Sequence, residues 1–339
     1  MIVISFLDFG FEDIERLKSA GIEYYYADNG GADPHAVTSH IYNAGIKSLP
    51  AQACKEATAI IIPSYHVNDE LMKICPNLQW VHHPGAGINS GSELYTDWNL
   101  IKKYKMIITT SKIHEQAVSE MVLAYILILT KNMLKLYENK QNRIYYSEYF
   151  SLPIPLLREK TVLILGTGNI GTEIARKLKN SFYMKTIGIN SSGREIEYFD
   201  EVYTLNQLDG LLQECDYLIL AITLTDKTQN IINVNNLKRM KKTAFLINVS
   251  RGNLIVESDL IEALKNQTIA GAGLDVFSQE PLPADSPLWE IDNVIITPHI
   301  SGNISNYNSK VLDKFLGNLD HFMKKEWNKM TSVANIKRY

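Results

Sequence analysis

Three polar side chains of different chemistry follow apolar segments in this 339-residue sequence. Arg251 comes directly after AFLINVS, His299 follows NVIITP, and Glu280 lies between them in the turn-rich stretch GLDVFSQEPLP. An arginine can clamp a carboxylate through two parallel hydrogen bonds, a histidine can pass a proton near neutral pH, and a glutamate can orient that histidine. The set indicates acid–base chemistry on a small carboxylic acid. Singly, each residue also fits a plainer role in a surface ion pair, a loop or a core.

A glycine-rich turn provides a second chemical signal. The sequence GTGNIG, residues 166–171, follows the apolar run VLIL and precedes a helix-period segment. In a strand–turn–helix setting, the first glycine permits the tight turn, the second lets the backbone approach a pyrophosphate, and the third allows close packing of the helix. The alternative is a tight turn without a ligand. We expect dinucleotide binding through Gly166, Gly168, Asn169, Ile170 and Gly171.

The end of the next predicted strand bears on the choice of nucleotide. NAD enzymes place a carboxylate about 20 residues after the glycine turn, where it binds the ribose hydroxyls. Here the strand ends at Asn190, and Ser191, Ser192 and Arg194 follow. Hydroxyl and guanidinium donors suit a 2′-phosphate, which a carboxylate would repel. We therefore expect NADP rather than NAD, although Arg194 also fits a solvated surface position.

Alternating apolar strands and helix-period segments must position these residues. Such alternation occurs twice, before residue 110 and again from Lys160, and it predicts α/β architecture with parallel sheets. Between the two series, residues 114–139 are predicted to form one long buried helix, since MVLAYILIL is apolar on every side.

Composition excludes several classes of protein. The chain is 45% apolar and 21% charged, with a net charge of −3, which disfavours nucleic-acid and membrane-surface binding. Its three cysteines form no CxxC pair, and the longest apolar run is short of the ~20 residues that span a bilayer. We predict a cytoplasmic protein with two domains, no metal, no nucleic-acid partner and no membrane association.

The motifs together resemble the D-isomer-specific 2-hydroxyacid dehydrogenase family. They are LGTGNIG (165–171), MKKTAFLINVSRGNLIV (240–256), GAGLDVFSQEPLP (271–283) and PLWEIDNVIITPHISG (287–302), and weaker similarity extends over nearly the whole chain. The resemblance implies two doubly wound parallel-sheet domains, with a Rossmann nucleotide-binding domain inserted into a flavodoxin-like catalytic domain. We expect residues 105–299 to form the first, and residues 1–104 and 300–339 to form the second.

The resemblance also implies roles for individual residues. Arg251 matches the substrate-binding arginine, Glu280 the glutamate that pairs with the histidine, and His299 the acid/base, which also contacts substrate. Four further positions are similar to family positions beside the cofactor, namely Thr228, Val249, Ser250 and Asp275. Ala86 and Gly87, in GAGIN, resemble the loop whose backbone amides receive the substrate carboxylate. Family members are commonly homodimers.

The implied activity is reduction of a 2-oxo acid to a D-2-hydroxy acid by hydride transfer from NAD(P)H. A phosphoglycerate dehydrogenase would use the same frame, often with an added C-terminal domain. Formate dehydrogenases lack the Glu–His pair. A non-enzymatic NAD(P)-sensing partner protein, similar to the corepressors of this fold, is the alternative outside enzymes. The sequence leaves the particular 2-oxo acid open.

Overall fold

The chain divides into a discontinuous unit and a continuous one. In the computed structural model, described for residues 1–28, 45–85, 96–145 and 154–334, the first unit comprises Met1–Ile113 and Ile304–Tyr339 and the second comprises His114–Asn303. The predicted boundary at residues 104/105 differs from this division, because the strand at Ile107–Thr110 pairs with the sheet of the first unit. The predicted return at residue 300 lies four residues before Ile304.

The first unit is built on a five-stranded parallel sheet in the order β2-β1-β3-β4-β5. This is the flavodoxin-like order. Its strands are β1 (Ile2–Ser5), β2 (Glu23–Tyr26), β3 (Ala57–Ile61), β4 (Trp80–His83) and β5 (Ile107–Thr110). Its described helices are α1 (Phe11–Ser19), α2 (Ala51–Glu56), α3 (Asp69–Ile74), α4 (Trp98–Lys103) and, after the return of the chain, α11 (Tyr307–Met323).

The second unit is built on a seven-stranded parallel sheet in the order β12-β11-β10-β9-β6-β7-β8. The glycine turn follows β6, the strand at which the order reverses, as in a Rossmann domain. The strands are β6 (Thr161–Leu165), β7 (Lys185–Ile189), β8 (Glu201–Tyr203), β9 (Tyr217–Leu220), β10 (Phe245–Asn248), β11 (Gly271–Leu274) and β12 (Val294–Ile296). The helices are α5 (Glu115–Thr130), α6 (Met133–Gln141), α7 (Asn169–Phe182), α8 (Leu208–Leu211), α9 (Val234–Leu237) and α10 (Glu257–Lys265).

One local prediction was wrong, and one strand was missed. The single helix predicted over residues 114–139 is two helices, α5 and α6, bent by 65°. Asn132 adopts a left-handed conformation with φ 53°, which ends the regular helix. Strand β11 was not predicted, because its sequence GAGL carries two glycines and little strand propensity. Pairing with β10 and β12 on both sides nevertheless makes it a central strand.

Apolar side chains cover both faces of each sheet. In the second unit, α5 and α7 pack on one face around Val122, Ile126 and Ile174, which are fully buried. In the first unit, Trp80 of β4 and Phe315 of α11 are fully buried and stack with ring centroids 4.2 Å apart. The two segments of the discontinuous unit therefore share one core.

Within the described ranges, no individual helix has the length and apolar character of a membrane span. The bent pair α5 and α6 meets those criteria only when both helices are counted together, by length and composition alone.

Candidate active site

The three glycines of the turn after β6 have three different surroundings. Gly166 has φ 105°, and a Cβ atom there would lie 2.3 Å from the carbonyl oxygen of Ala221. A Cβ atom on Gly171 would lie 1.8 Å from the carbonyl oxygen of Gly166, so α7 packs directly against the turn. By contrast, a Cβ atom on Gly168, the N-cap of α7, would meet no protein atom within 4 Å. The open position is the one where a pyrophosphate requires space.

Two more predicted residues extend this phosphate-binding surface. Asn169 is exposed and Ile170 is half-buried, and both belong to the first turn of α7. The backbone amides of the first helical turn lack partners within the helix, and the helix dipole favours an anion there. The 14-residue helix and the space at Gly168 together fit a dinucleotide.

Asn190, at the end of β7, organises the next loop. Its Nδ2 donates to the Thr167 hydroxyl at 3.1 Å and to the Arg194 carbonyl at 2.9 Å, while its Oδ1 accepts from the Ser192 amide at 3.0 Å. The side chain is therefore used within the protein. Ser191, Ser192 and Arg194 are exposed. Among the described residues, no carboxylate lies within ion-pair distance of the Arg194 guanidinium.

Arg251 lies in a tight turn after β10. The fully buried Asn248 holds this turn, with its Nδ2 donating to the Arg251 carbonyl at 2.9 Å and its Oδ1 accepting from the Ser250 amide at 3.1 Å. A Cβ atom on Gly252 would lie 1.9 Å from the carbonyl carbon of Phe277. This close approach brings the half-buried Arg251 beside the loop that carries Glu280.

Glu280 and His299 form a hydrogen-bonded pair. Glu280 Oε2 lies 2.7 Å from His299 Nδ1, and Glu280 Oε1 accepts from the Phe277 amide at 3.0 Å. Burial alone would raise the pKa of Glu280. The net effect is a lowered pKa, because the carboxylate is stabilised by its hydrogen bond and charge interaction with His299, by the Phe277 amide and by the charge of Arg251. The side chains of Glu280 and His299 are 35% and 36% exposed, so the pair is accessible to a ligand.

Asp275, predicted to lie beside the cofactor, makes several hydrogen bonds within the protein. It is fully buried, and its carboxylate accepts hydrogen bonds from the Thr297 hydroxyl and from the amides of Ile300 and Ser301, the latter two at 2.9 Å. These contacts hold the segment on either side of His299.

Thr228 is also occupied internally. It is buried, and its hydroxyl donates to the Thr223 carbonyl and accepts from the Thr225 amide, both at 2.8 Å. Val249 is buried, and the Ser250 hydroxyl donates to the Ile222 carbonyl. These hydrogen bonds hold the loops that follow β9 and β10.

The predicted residues of the second unit therefore gather at one edge of its sheet. They follow β6, β7, β9, β10, β11 and β12, all of which run parallel, so their carboxyl ends share that edge. Ala86 and Gly87, the predicted receivers of the substrate carboxylate, lie outside the described residues.

Sequence reasoning missed the residues that support the site. Asn248 holds the Arg251 turn, Thr167 anchors Asn190, and Tyr125 of α5 hydrogen-bonds Thr297. Asn248 had a detectable signal, because an amide at the end of an apolar strand requires hydrogen-bond partners when it is buried. Tyr125 had none, since its partner is 172 residues further along the chain.

The second unit matches a known family of protein domains. Residues 123–301 match the model of the D-isomer specific 2-hydroxyacid dehydrogenase, NAD binding domain. This range begins within α5 and contains the glycine turn, Arg251, Glu280 and His299.

Curated relatives match over different lengths. The glyoxylate reductase of Thermofilum pendens is 34% identical over 240 residues, which are 69% of each chain. An uncharacterised protein of Corynebacterium melassecola is 45% identical over 163 residues, which are 48% of this chain and 53% of that protein. In the second case the match spans only about half of the relative's length.

Solved structures match over nearly the whole chain. The D-isomer specific 2-hydroxyacid dehydrogenase family protein of Aeromonas salmonicida has a TM-score of 0.78 at 29% identity, with 98% of each chain covered. The D-isomer specific 2-hydroxyacid dehydrogenase of Xanthobacter autotrophicus, solved with NADPH and MES, has a TM-score of 0.77 at 22% identity. That match covers 99% of this chain and 98% of the other, and it supports the fold alone.

Proposed function

Since this chain belongs to the D-isomer specific 2-hydroxyacid dehydrogenase family, we propose that it reduces a 2-oxo acid to a D-2-hydroxy acid with a nicotinamide cofactor. The observation that carries the proposal is the hydrogen bond of 2.7 Å between His299 Nδ1 and Glu280 Oε2. A carboxylate accepts only, so Nδ1 bears the proton, and Nε2 is the nitrogen through which the imidazole exchanges a proton with substrate.

In the proposed reaction, His299 is the general acid. It donates the proton to the oxygen of the substrate carbonyl as that oxygen gains charge, and Glu280 stabilises the protonated imidazole and fixes its orientation. In the reverse direction, His299 accepts the proton from the hydroxyl group. The exposure of the pair gives the substrate access to it.

Arg251 binds the substrate in this proposal. A guanidinium can hold the substrate carboxylate and polarise the adjacent carbonyl, which fixes the reacting carbon relative to His299. Asn248 and the close packing at Gly252 hold the Arg251 backbone in place. Ala86 and Gly87 are proposed to receive the same carboxylate through backbone amides.

NADPH, when bound, supplies the hydride. The open space at Gly168 and the first turn of α7 are proposed to hold its pyrophosphate, with Val249 and Ser250 lining the nicotinamide side through their backbone. We prefer NADPH to NADH because the end of β7 offers Asn190, Ser191, Ser192 and Arg194 and no carboxylate. The continuous unit is then the nucleotide-binding domain, and the discontinuous one the catalytic domain.

We further propose a homodimer. Helix α6 and the residues after it expose a run of large apolar side chains, which include Met133, Leu134, Leu136, Tyr137, Ile144 and Tyr145. An exposed apolar surface of this kind is typical of a protein–protein interface. A cytoplasmic location, predicted from the sequence, fits a reductase that draws on the NADPH pool.

One assay tests the function. Oxidation of NADPH and of NADH is followed at several concentrations of glyoxylate, hydroxypyruvate, pyruvate, a branched 2-oxo acid and phenylpyruvate. We expect turnover with at least one of them and a higher kcat/KM for NADPH. Nucleotide binding without turnover on any of the acids would instead support the NAD(P)-sensing alternative. If 3-phosphohydroxypyruvate, assayed beside these acids, gave a higher kcat/KM than any of them, the result would support a phosphoglycerate dehydrogenase.

A further inference from the structure

His299 has a backbone conformation that ordinary residues rarely adopt. Its φ is 53°, in the left-handed region, and its amide donates to the Asp275 carbonyl at 2.8 Å. Such a conformation requires surroundings that hold it in place. The direction of the imidazole therefore depends on the contacts of residues 297–302.

Asp275 is the centre of these contacts. Its carboxylate accepts from the hydroxyl of Thr297, two residues before His299, and from the amides of Ile300 and Ser301, the two residues after it. Three donors around one buried carboxylate fix both sides of the His299 backbone. A further contact lies between the His114 ring and the Gly302 carbonyl, at 2.9 Å.

A chain of hydroxyl groups extends from this carboxylate to α5. The carboxylate accepts only, so the Thr297 hydroxyl proton points to Asp275, and the Thr297 oxygen must accept from the Tyr125 hydroxyl. The order is therefore Tyr125 to Thr297 to Asp275. Burial raises the pKa of Tyr125, which keeps its hydroxyl protonated as the first donor.

Strand β11 is shaped to admit the tyrosine ring. Tyr125 is 1% exposed, and a Cβ atom on Gly273 would lie 2.7 Å from its Cγ atom. The ring thus lies directly on β11, the strand that Asp275 follows. The glycine lets a helix side chain reach the backbone that carries the catalytic loop.

We propose that Tyr125 is a positioning residue for His299, acting through Thr297 and Asp275 on the backbone of residues 297–301. The inference rests on the proposed role of His299 as general acid. It adds a residue on α5 that touches neither substrate nor cofactor and yet determines how the imidazole is presented to the substrate.

The chain offers a matched control. Tyr217 of β9 is 2% exposed, and its hydroxyl is hydrogen-bonded to the hydroxyl of Thr130, the last residue of α5. Tyr125→Phe and Tyr217→Phe each remove one buried hydroxyl from a Tyr–Thr pair of the same unit. Only the first removal reaches the His299 segment.

The kinetic test compares these two variants with Thr297→Val. We expect Tyr125→Phe to lower kcat about fivefold and Thr297→Val more than tenfold, since small misplacements of a catalytic group slow the reaction strongly. The KM for NADPH should stay within about twofold in both, and Tyr217→Phe should leave kcat unchanged. Because the residues act in series, adding Tyr125→Phe to Thr297→Val should lower kcat no further. Equal kcat effects of Tyr125→Phe and Tyr217→Phe would overturn the proposal.

A second readout is independent of turnover. With ¹³C-labelled histidine, the ring Cε1–H signal of His299 is assigned by its loss in His299→Asn. Tyr125→Phe should shift this signal, and Tyr217→Phe should leave it in place. An unmoved signal in Tyr125→Phe overturns the positioning role. If the wild-type protein reduces none of the acids but the signal shifts, the proposed function has failed and the positioning role stands.

Discussion

Gly171 packs against Gly166, and a Cβ atom on Gly171 would lie only 1.8 Å from the Gly166 carbonyl oxygen. The substitution Gly171→Ala should therefore displace α7 and lower the melting temperature by several degrees. Gly168→Ala meets no protein atom and should leave the melting temperature nearly unchanged, while the Kd for NADPH rises more than about tenfold because the methyl group occupies pyrophosphate space. Calorimetry and fluorescence titration separate the two effects. If Gly168→Ala binds NADPH as the wild type does, the phosphate site lies elsewhere.

The role of His299 is best tested with asparagine. Alanine at φ 53° would add backbone strain, whereas asparagine tolerates the left-handed region. We expect His299→Asn to lower kcat by a factor of about 10²–10⁴, the usual contribution of a general acid, with an unchanged Kd for NADPH. Stopped-flow single turnovers measure the chemical step directly. Retention of a tenth or more of the wild-type rate would exclude His299 as the proton donor.

Arg194 tests the preference between the two nucleotides. If its guanidinium binds the 2′-phosphate, Arg194→Ala should lower kcat/KM for NADPH about tenfold and leave that for NADH unchanged, since only one nucleotide carries the phosphate. The ratio of the two kcat/KM values is the measurement. Asn190→Asp is a poorer test, because aspartate lacks the Nδ2 donor that binds Thr167 and the Arg194 carbonyl. A parallel loss with both nucleotides would assign Arg194 a structural role.

His82 should make the protein less stable in acid. It is fully buried between Thr109 and Ser111, and burial lowers its pKa to about 3. The unfolded chain, with a histidine pKa of about 6.5, binds this proton first, so stability falls as pH drops from about 6.5 towards 3. At pH 5 the loss is about 2 kcal/mol. Urea unfolding at pH 7 and pH 5 measures this loss in the free energy of unfolding. The loss should be smaller in His82→Gln than in the wild type. Equal losses in the two proteins would contradict this account.

The exposed face of α6 should control the oligomeric state. Leu134 and Tyr137 are 41% and 61% exposed, and glutamate at either position would introduce a charge into the proposed interface. We expect light scattering to give the mass of two chains for the wild type and of one chain for Leu134→Glu with Tyr137→Glu. Far-UV circular dichroism of the variant checks that it is folded. A wild-type protein with the mass of a single chain would refute the homodimer.

Much of the fold could be predicted from the sequence, because parallel sheets carry local signals. The apolar run VLIL before the glycine turn is part of β6, and the strand predicted to end at Asn190 is β7, which ends at Ile189. The order of strands across a sheet and the existence of β11 depend on pairing between distant segments. Local propensity in GAGL argued against a strand, and tertiary contacts decided otherwise.

The residue types of the candidate site could be predicted from the sequence, but the contacts that each side chain makes could not. Arg251, Glu280 and His299 occupy the expected edge of the sheet. Asp275, Asn190 and Thr228 remain predictions as cofactor contacts, and their side chains also make hydrogen bonds within the protein that the sequence did not indicate. A motif in the sequence can indicate that a polar residue lies near a ligand. The hydrogen-bond partners of that residue depend on how the surrounding loops fold. That is why the contribution of Tyr125 had no sequence signal.

The stack of Trp80 on Phe315 bears on the order of events during synthesis. Trp80 leaves the ribosome early, but the aromatic face that covers it arrives only after all of His114–Asn303 has been made. The continuous unit can therefore complete its core first, while the earlier-made sheet waits for α11. Folding domain by domain usually proceeds from the N-terminus, and here we expect the reverse order. The exposed Trp80 would meanwhile be a surface for chaperones to recognise.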